Sequence, residues 1–168
     1  MAEHEGLRGI VHTVNSNLAT DLVRMLSGFP FNRAGLFSHR TEDRAEVFAA
    51  FHIASPPAVL VSPSVDVGED FADDQARWQA IAKVPYPPRG DQWVKAKQAM
   101  DPNWYDEQAV RGLVQAAGRI ARGPEDWGTT YILDEQFEKL YERRRDSFPD
   151  WFHEGIQAGV GIRSLFLQ

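Results

Sequence analysis

An uninterrupted apolar run from Ala58 to Val61 constrains the fold of this chain more than any other feature. A strand with one face in water alternates apolar and polar residues, whereas this run is apolar at every position. Such a run is typical of a strand that is buried on both faces, in the middle of a parallel sheet covered by helices. The sequence therefore predicts an α/β domain with a largely parallel central sheet.

The other strand and helix patterns alternate along the chain, as a parallel sheet with crossover helices requires. The predicted strands are 8–14, 33–37, 58–61, part of 76–84, and 129–133. The predicted helices are about 18–26, a helix capped by Thr41 with Ala45, Phe48, Ala49 and His52 on its buried face, then 91–100, 105–122, and a helical region after Asp134 that breaks near Pro149. We interpret residues 1–168 as one domain with an irregular insertion at about 66–103.

Polar segments directly follow three of the predicted strands. They are residues 13–17, 38–40 and 62–70. Ligands of open parallel sheets bind outside the carboxyl ends of the strands. We therefore expect these three segments to converge on one edge of the sheet and to form a binding site there.

The stretch from Gln115 to Arg122, which reads QAAGRIAR, is the strongest candidate for binding an anion. Steps of four and three residues put Gln115, Arg119 and Arg122 on one face of a predicted helix. Two guanidinium groups and an amide suit a phosphate. Gly118 costs about 1 kcal/mol of helix stability against alanine, which indicates that something approaches the helix closely there. The alternative is an ordinary solvated face.

The loops after the strands offer small polar groups to the same ligand. Ser62, Ser64, Gly68 and Asp70 can present hydroxyls, backbone N–H groups and a carboxylate. The alternative is a structural turn in which Asp70 caps a helix. The stretch Asn15-Ser-Asn17 after the first strand offers an N-cap for the following helix. Thr13, Asn15, Ser16 and Asn17 can contact a phosphate or only cap that helix, and capping is favoured for Ser16 or Asn17.

Several function classes lack their motifs. The chain has no cysteine, and its histidines are scattered without ligand spacing, so we expect no metal site. It contains neither a Gly-x-x-x-x-Gly-Lys-Ser/Thr phosphate loop nor a Ser/His/Asp elbow. A net charge of -6 argues against coating nucleic acid by bulk charge. With a polar N-terminus and no long apolar run, the chain is expected in the cytoplasm or at the nucleoid, with no membrane partner.

Three stretches together resemble the second motor domain of superfamily 2 helicases of the XPD/DinG type, over almost the whole chain. Residues 9–14 resemble helicase motif IV, residues 60–71 resemble motif V, and residues 115–122 resemble motif VI. The motif VI stretch is followed by the typical Asp126-Trp-Gly128 and by an Ile132-Leu-Asp134 segment. Two positions depart from the family pattern, because Val67 stands where glutamate is common and Gln136 where arginine is usual.

The resemblance implies a RecA-like three-layer domain that works in an ATP-dependent DNA helicase. ATP and Mg²⁺ would be held mainly by an N-terminal motor domain, and Arg119 and Arg122 would reach the γ-phosphate from across the cleft. Gln115 would position the phosphate or the attacking water. Gly68, Asp70 and Gly118 would lie at the nucleotide. Single-stranded DNA would contact Thr13, Ser38, His39, Ser62 and Ser64, with Arg40 beside them.

This chain alone is then expected to be inactive as an ATPase, since it has arginines for a nucleotide but no phosphate loop. The competing hypothesis is a stand-alone, non-catalytic RecA-like module that binds nucleic acid or a partner protein. A reading frame that continues upstream into a phosphate loop would favour the helicase, and a natural start at Met1 would favour the module.

Overall fold

The central sheet has five strands, and all of them are parallel. The computed structural model of the protein describes His4 and residues 6–28, 35–63, 71, 73–120 and 126–157. The strands are β1 (Arg8–His12), β2 (Gly35–Ser38), β3 (Ala58–Ser62), β4 (Trp78–Ile81) and β5 (Thr129–Ile132). Their order across the sheet is β2-β3-β1-β4-β5. The predicted buried run is β3, which pairs with β1 and β2 and is buried at every residue.

The described residues contain six α-helices, and helices cover both faces of the sheet. They are α1 (Ser16–Ser27), α2 (Arg44–Ile53), α3 (Gln92–Met100), α4 (Trp104–Ala117), α5 (Gln136–Arg143) and α6 (Asp150–Gln157). One face packs Val11, Val59 and Trp78 against α1. The other face packs Ile10 and Leu60 against α2, and Ile81 and Ile132 against α4, α5 and α6. The predicted α/β domain with helices on both faces of a parallel sheet is confirmed. None of the described helices is long and apolar enough to cross a membrane.

Both ends of α1 follow from local sequence. The side chain of Asn15 accepts a hydrogen bond from the Leu18 N–H at 2.8 Å, and Gly28 closes the helix. The cap is therefore Asn15, the first residue of the predicted capping stretch, and not the favoured Ser16 or Asn17, because the Asn15 backbone is extended while Ser16 is already helical.

The start of α2 and its buried face differ from prediction. The Asp43 carboxylate accepts a hydrogen bond from the Arg40 N–H at 2.6 Å, and this turn delays the helix from Thr41 to Arg44. Phe48 and Phe51 are the buried residues of α2. Ala45 and Ala49, which we expected to be buried, are exposed because the phenylalanine pair orients the helix.

Helix α4 ends at Ala117, five residues before the predicted end. The Arg119 N–H bonds the Ala116 carbonyl at 3.2 Å, a tight turn that takes the chain off the helix axis directly after Gly118. Gly118 is the cap of the helix and not an interior position. A Cβ added there would meet only the Val114 carbonyl at 3.5 Å and the Gln115 carbonyl at 4.0 Å, so the described residues show no close neighbour of the kind we expected.

The segment expected to be an irregular insertion, residues 66–103, contains β4 and α3. Strand β4 lies inside the sheet between β1 and β5, and all four of its residues are buried. This part of the segment therefore belongs to the core.

Candidate nucleotide and nucleic-acid site

The described parts of the three segments predicted to converge, residues 13–17, 38–40 and 62–63, meet at the carboxyl edge of the sheet. The Thr13 N–H donates to the Ser62 carbonyl at 2.9 Å, which joins the ends of β1 and β3. His39 Nε2 lies 3.0 Å from Ser62 Oγ, which joins β3 to the end of β2. Because His39 Nδ1 must donate to the Arg40 carbonyl at 3.0 Å, its Nε2 accepts the Ser62 hydroxyl proton in the neutral ring. The edge is thus a connected set of hydrogen bonds.

Burial divides the residues of this edge into two groups. Thr13 is 0% exposed and Ser62 is 2% exposed. The Thr13 hydroxyl is directed inward to the carbonyls of Asn15 at 3.0 Å and Ser62 at 3.3 Å. Ser38 is exposed and His39 is half-buried, so these two present side chains to solvent. In this conformation Thr13 and Ser62 hold the edge together from beneath.

Val14 turns the chain at this edge with a left-handed backbone. Its φ of 67° is uncommon for a residue with a branched Cβ. Val14 and Pro63 form one wall of a groove of about 330 Å³, and α4 forms another with the exposed side chains of Arg111 and Gln115. We call this the proline groove, because residues 85–88, which contain three prolines, line its remaining side.

Gln115 and Arg119 do not lie on one helix face as predicted, because α4 ends between them at Ala117. Gln115 lies on the helix and lines the proline groove, whereas Arg119 follows the helix and is half-buried. The Phe71 N–H donates to the Arg119 carbonyl at 3.3 Å, so the end of the motif V stretch contacts the motif VI stretch. Arg122, Ser64, Gly68 and Asp70 lie outside the described residues.

The close approach that sequence analysis assigned to Gly118 occurs instead six residues earlier, at Gly112. A Cβ there would lie 2.7 Å from Pro85 Cγ, so only glycine lets the proline-rich segment pack against α4. This contact fixes the wall of the proline groove. The position carried no sequence signal, because an isolated glycine in a helical pattern does not reveal what packs on it.

A buried polar network lies between the sheet edge and the end of α4, and sequence analysis missed it. Gln79 is 0% exposed in the middle of β4. Its amide N–H groups donate to the Ala116 carbonyl at 2.8 Å and to Thr130 Oγ1 at 2.9 Å. Its carbonyl oxygen lies 2.9 Å from Nε2 of His12, which is 2% exposed. One side chain therefore connects β1, β4, β5 and the C-terminus of α4.

This network determines the protonation of His12. Since the Gln79 oxygen can only accept, His12 Nε2 carries the proton and Nδ1 keeps a lone pair. His12 Nδ1 has no hydrogen-bond partner among the described residues. Burial lowers the pKa of His12 to about 4, although the Gln79 hydrogen bond opposes the shift, and the nearby Arg119 charge adds to it. The imidazole is therefore neutral at physiological pH and lies within electrostatic reach of Arg119.

The segment after motif VI is held by an ion pair that sequence analysis also missed. Arg77, just before β4, donates to the Asp126 carboxylate at 2.7 Å and to the Trp127 carbonyl at 2.9 Å. Both side chains of the pair are largely buried, at 12% and 9% exposed, and the Arg77 guanidinium lies 4.9 Å from the centroid of the Trp127 ring. Asp126 thus anchors the Asp-Trp-Gly turn. Among the described residues, no group of three His, Cys, Asp or Glu side chains could hold a metal ion.

Comparison with known proteins places the chain in a family. Residues 10–155 match the family model described as Helicase C-terminal domain. Regulator of telomere elongation helicase 1 of Mus spretus is 33% identical over 149 residues, covering 72% of this chain and 12% of that protein. The Homo sapiens protein of the same name is 32% identical over 107 residues, covering 54% and 9%, respectively. The chain thus spans about a tenth of the length of these relatives.

A solved structure supports the fold. The structure of S. tokodaii Xpd4 superposes with a TM-score of 0.53 at 16% identity, over 88% of this chain and 30% of that one. At this identity the likeness concerns the fold, and it agrees with the RecA-like arrangement of a parallel sheet between helices. Since the family model covers most of the chain, the protein belongs to the helicase C-terminal domain family.

Proposed function

We propose that this domain supplies Arg119 and Arg122 to an ATP molecule bound by the first motor domain of an ATP-dependent DNA helicase. Guanidinium groups that reach the γ-phosphate across a cleft stabilise the transition-state charge only when the cleft closes. Closure then couples hydrolysis to movement along the strand. Gln115 positions the phosphate or the attacking water, and Gly68, Asp70 and Gly118 line the nucleotide.

Single-stranded DNA contacts the carboxyl edge of the sheet in this proposal. Ser38 is exposed and His39 is half-buried, so both side chains are available to the DNA backbone. Ser64, which lies outside the described residues, is proposed as a third contact. Thr13 and Ser62 keep these groups in register through their own hydrogen bonds. Contacts of this kind position a strand without reading its bases. A role in DNA repair and a cytoplasmic or nucleoid location remain predictions.

One observation carries the proposal, namely the hydrogen bond between Phe71 and Arg119. It joins Phe71, the last residue of the motif V stretch, to Arg119, which lies two residues beyond the end of α4. The same Arg119 is close enough to His12, at the end of β1, to lower its pKa. In this proposal, strand binding at the edge acts through these two contacts on the segment that carries the arginine for ATP.

In this proposal both motor domains contact ATP, and the first motor domain holds Mg²⁺. The half-buried Arg119 has a cationic group suited to phosphate oxygens, and ATP supplies the phosphoanhydride bond that is hydrolysed. The proposed ligands of Mg²⁺ belong to the first motor domain.

The test is DNA-stimulated ATP hydrolysis by the protein that carries both motor domains. We expect Arg119→Ala and Arg122→Ala each to lower kcat by roughly 10³-fold or more, with strand affinity nearly unchanged. Arg119→Lys should recover little, since lysine cannot form the two-pronged contact. Arg24→Ala is the matched control, because Arg24 is exposed on α1 and pairs only with Asp21 among the described residues. Wild-type turnover in both finger variants would refute the assignment, as would robust hydrolysis by residues 1–168 alone.

A further inference from the structure

A second cleft opens beside the proline groove, on the β4 and β5 side of the sheet. It measures about 370 Å³ and is lined by Tyr86, Arg89, Tyr105, Asp106, Gln136 and Arg143. We call it the tyrosine cleft. Three elements form it: the segment after β4, the first turn of α4, and α5. Its volume lies in the range of sites that hold small ligands or one unit of a polymer.

The aromatic wall of the tyrosine cleft is rigid. Tyr86 and Tyr105 stack with their ring centroids 5.0 Å apart and an interplanar angle of 14°. Tyr105 is 6% exposed, and its hydroxyl donates to the Pro87 carbonyl at 3.0 Å. Arg89 donates from Nε to the Tyr105 hydroxyl at 3.2 Å, so its guanidinium is held against the ring. A cation with a fixed position needs little ordering when it binds an anion.

The charge in the cleft is positive although the chain as a whole is acidic. Asp106 accepts two hydrogen bonds from Arg143, at 3.2 and 3.3 Å, and one from the Tyr86 hydroxyl at 3.4 Å. A second guanidinium, that of Arg144, approaches the same carboxylate at 3.6 Å. Arg89 has no carboxylate partner among the described residues, and neither its terminal nitrogens nor the Gln136 amide bonds a described residue. An anion is the ligand that these donors fit.

The cleft continues the sheet edge. Tyr86 lines both the tyrosine cleft and the proline groove, and Val14 and Pro63 of the groove follow β1 and β3 directly. The order of the strands therefore gives a continuous line from Ser38 after β2 to the tyrosine cleft beside β5. Four strand spacings span about 19 Å. A ligand that touches both ends must extend over this distance and carry an anionic group at the tyrosine cleft, and a polymer with repeated negative charges meets both requirements.

We propose that the tyrosine cleft binds the phosphodiester backbone of a single nucleic-acid strand, as a contact separate from Ser38 and His39. Arg89 and Arg143 bind one phosphate, and the Gln136 amide donates to the same group or to the next sugar. This inference rests on the proposed function for the identity of the polymer. It adds that the strand crosses this domain along the sheet edge and ends its contact at the tyrosine cleft.

The test is fluorescence anisotropy of a labelled oligothymidylate with this chain at several low salt concentrations. Arg89→Gln and Arg143→Gln should each weaken binding about threefold to tenfold and lower the slope of log K against log salt by about 0.7. Arg24→Gln, on α1 at the other sheet face, is the control and should change binding less than twofold. Circular dichroism verifies that each variant is folded.

Competitors separate the sources of the anion. Unlabelled oligothymidylate should displace the probe, while thymidine monophosphate and polyglutamate should compete at least tenfold less well. Equal displacement by polyglutamate would overturn the proposal in favour of an acidic protein partner, and equal displacement by the mononucleotide would overturn the extended path. If the wild type binds the strand and both variants bind it with the same affinity, the tyrosine cleft is not a binding site, and the contact at Ser38 and His39 is unaffected by that result. If this chain binds no strand at all, both the tyrosine cleft and the sheet-edge contact are refuted. If the arginine variants leave ATP hydrolysis unchanged but the strand still binds, only the proposed role of Arg119 and Arg122 is refuted.

Discussion

Acid should destabilise this domain through one buried histidine. His12 has a pKa of about 4 in the folded protein, compared with 6.5 for an exposed imidazole, and burial is the main cause. Between these two values the unfolded chain binds a proton that the folded chain excludes. The free energy of unfolding must therefore fall as the pH drops below 6.5, and this loss levels off below pH 4. At pH 7 and above His12 is neutral in both states and makes no such contribution.

The two pKa values set the size of the effect. Protonation of His12 lowers the free energy of unfolding by about 3 kcal/mol in total, and by about 2 kcal/mol at pH 5. His12→Gln removes the titration while keeping an N–H donor for the Gln79 oxygen. We expect the variant to lose about 2 kcal/mol less than the wild type when the pH falls from 7 to 5. His153→Gln, on α6, controls for the removal of any one histidine.

Urea denaturation followed by tryptophan fluorescence at pH 7, 6 and 5 measures this difference. Carboxylates that titrate in the same range affect wild type and variants alike, so the comparison isolates His12. Imidazole NMR provides a direct check, with a His12 midpoint near pH 4 and the proton on Nε2. Parallel pH dependence in the wild type and His12→Gln, or a midpoint between pH 6 and 7, would refute the reasoning.

Two further substitutions test the packing around the site. Gln79→Leu should lower the unfolding free energy by about 2 to 4 kcal/mol, because the His12 N–H and Thr130 Oγ1 lose a buried partner; urea unfolding measures it, and wild-type stability would contradict the network. Gly9→Ala should cost about 1 to 3 kcal/mol, since the new Cβ would lie 1.9 Å from the Trp78 indole. Gly90→Ala is the matched control, because a Cβ added there would have no neighbour within 4 Å among the described residues, and equal effects of the two would contradict the close packing.

Patterns in the sequence were sufficient for the sheet and its edge. The apolar run at Ala58–Val61 predicted a central parallel strand, because only burial on both faces favours such a run. The position of polar segments after strands predicted the edge, because parallel strands end together. Both inferences depend on periodicity and topology, which are carried by the chain itself.

The parts that sequence analysis missed depend on contacts between distant elements. Gln79 is one polar residue in a short strand, and its partners at Ala116 and Thr130 are 37 and 51 positions away. The end of α4 could not be placed because the apolar period continues through Ile120, which is buried although it lies beyond the helix. The turn at Gly118 changes the path without interrupting the pattern.

The left-handed backbone of Val14 has a mechanical consequence. A valine keeps such a conformation only where its surroundings determine it strongly, at a cost on the order of 1–3 kcal/mol. Here the Thr13 bond to Ser62 lies on one side and the Asn15 cap of α1 on the other. The corner between β1 and α1 is thus stiff, and a force applied to the sheet edge is not absorbed there. We therefore expect a load on that edge to displace the end of β1 and the start of α1 together rather than to bend the corner between them.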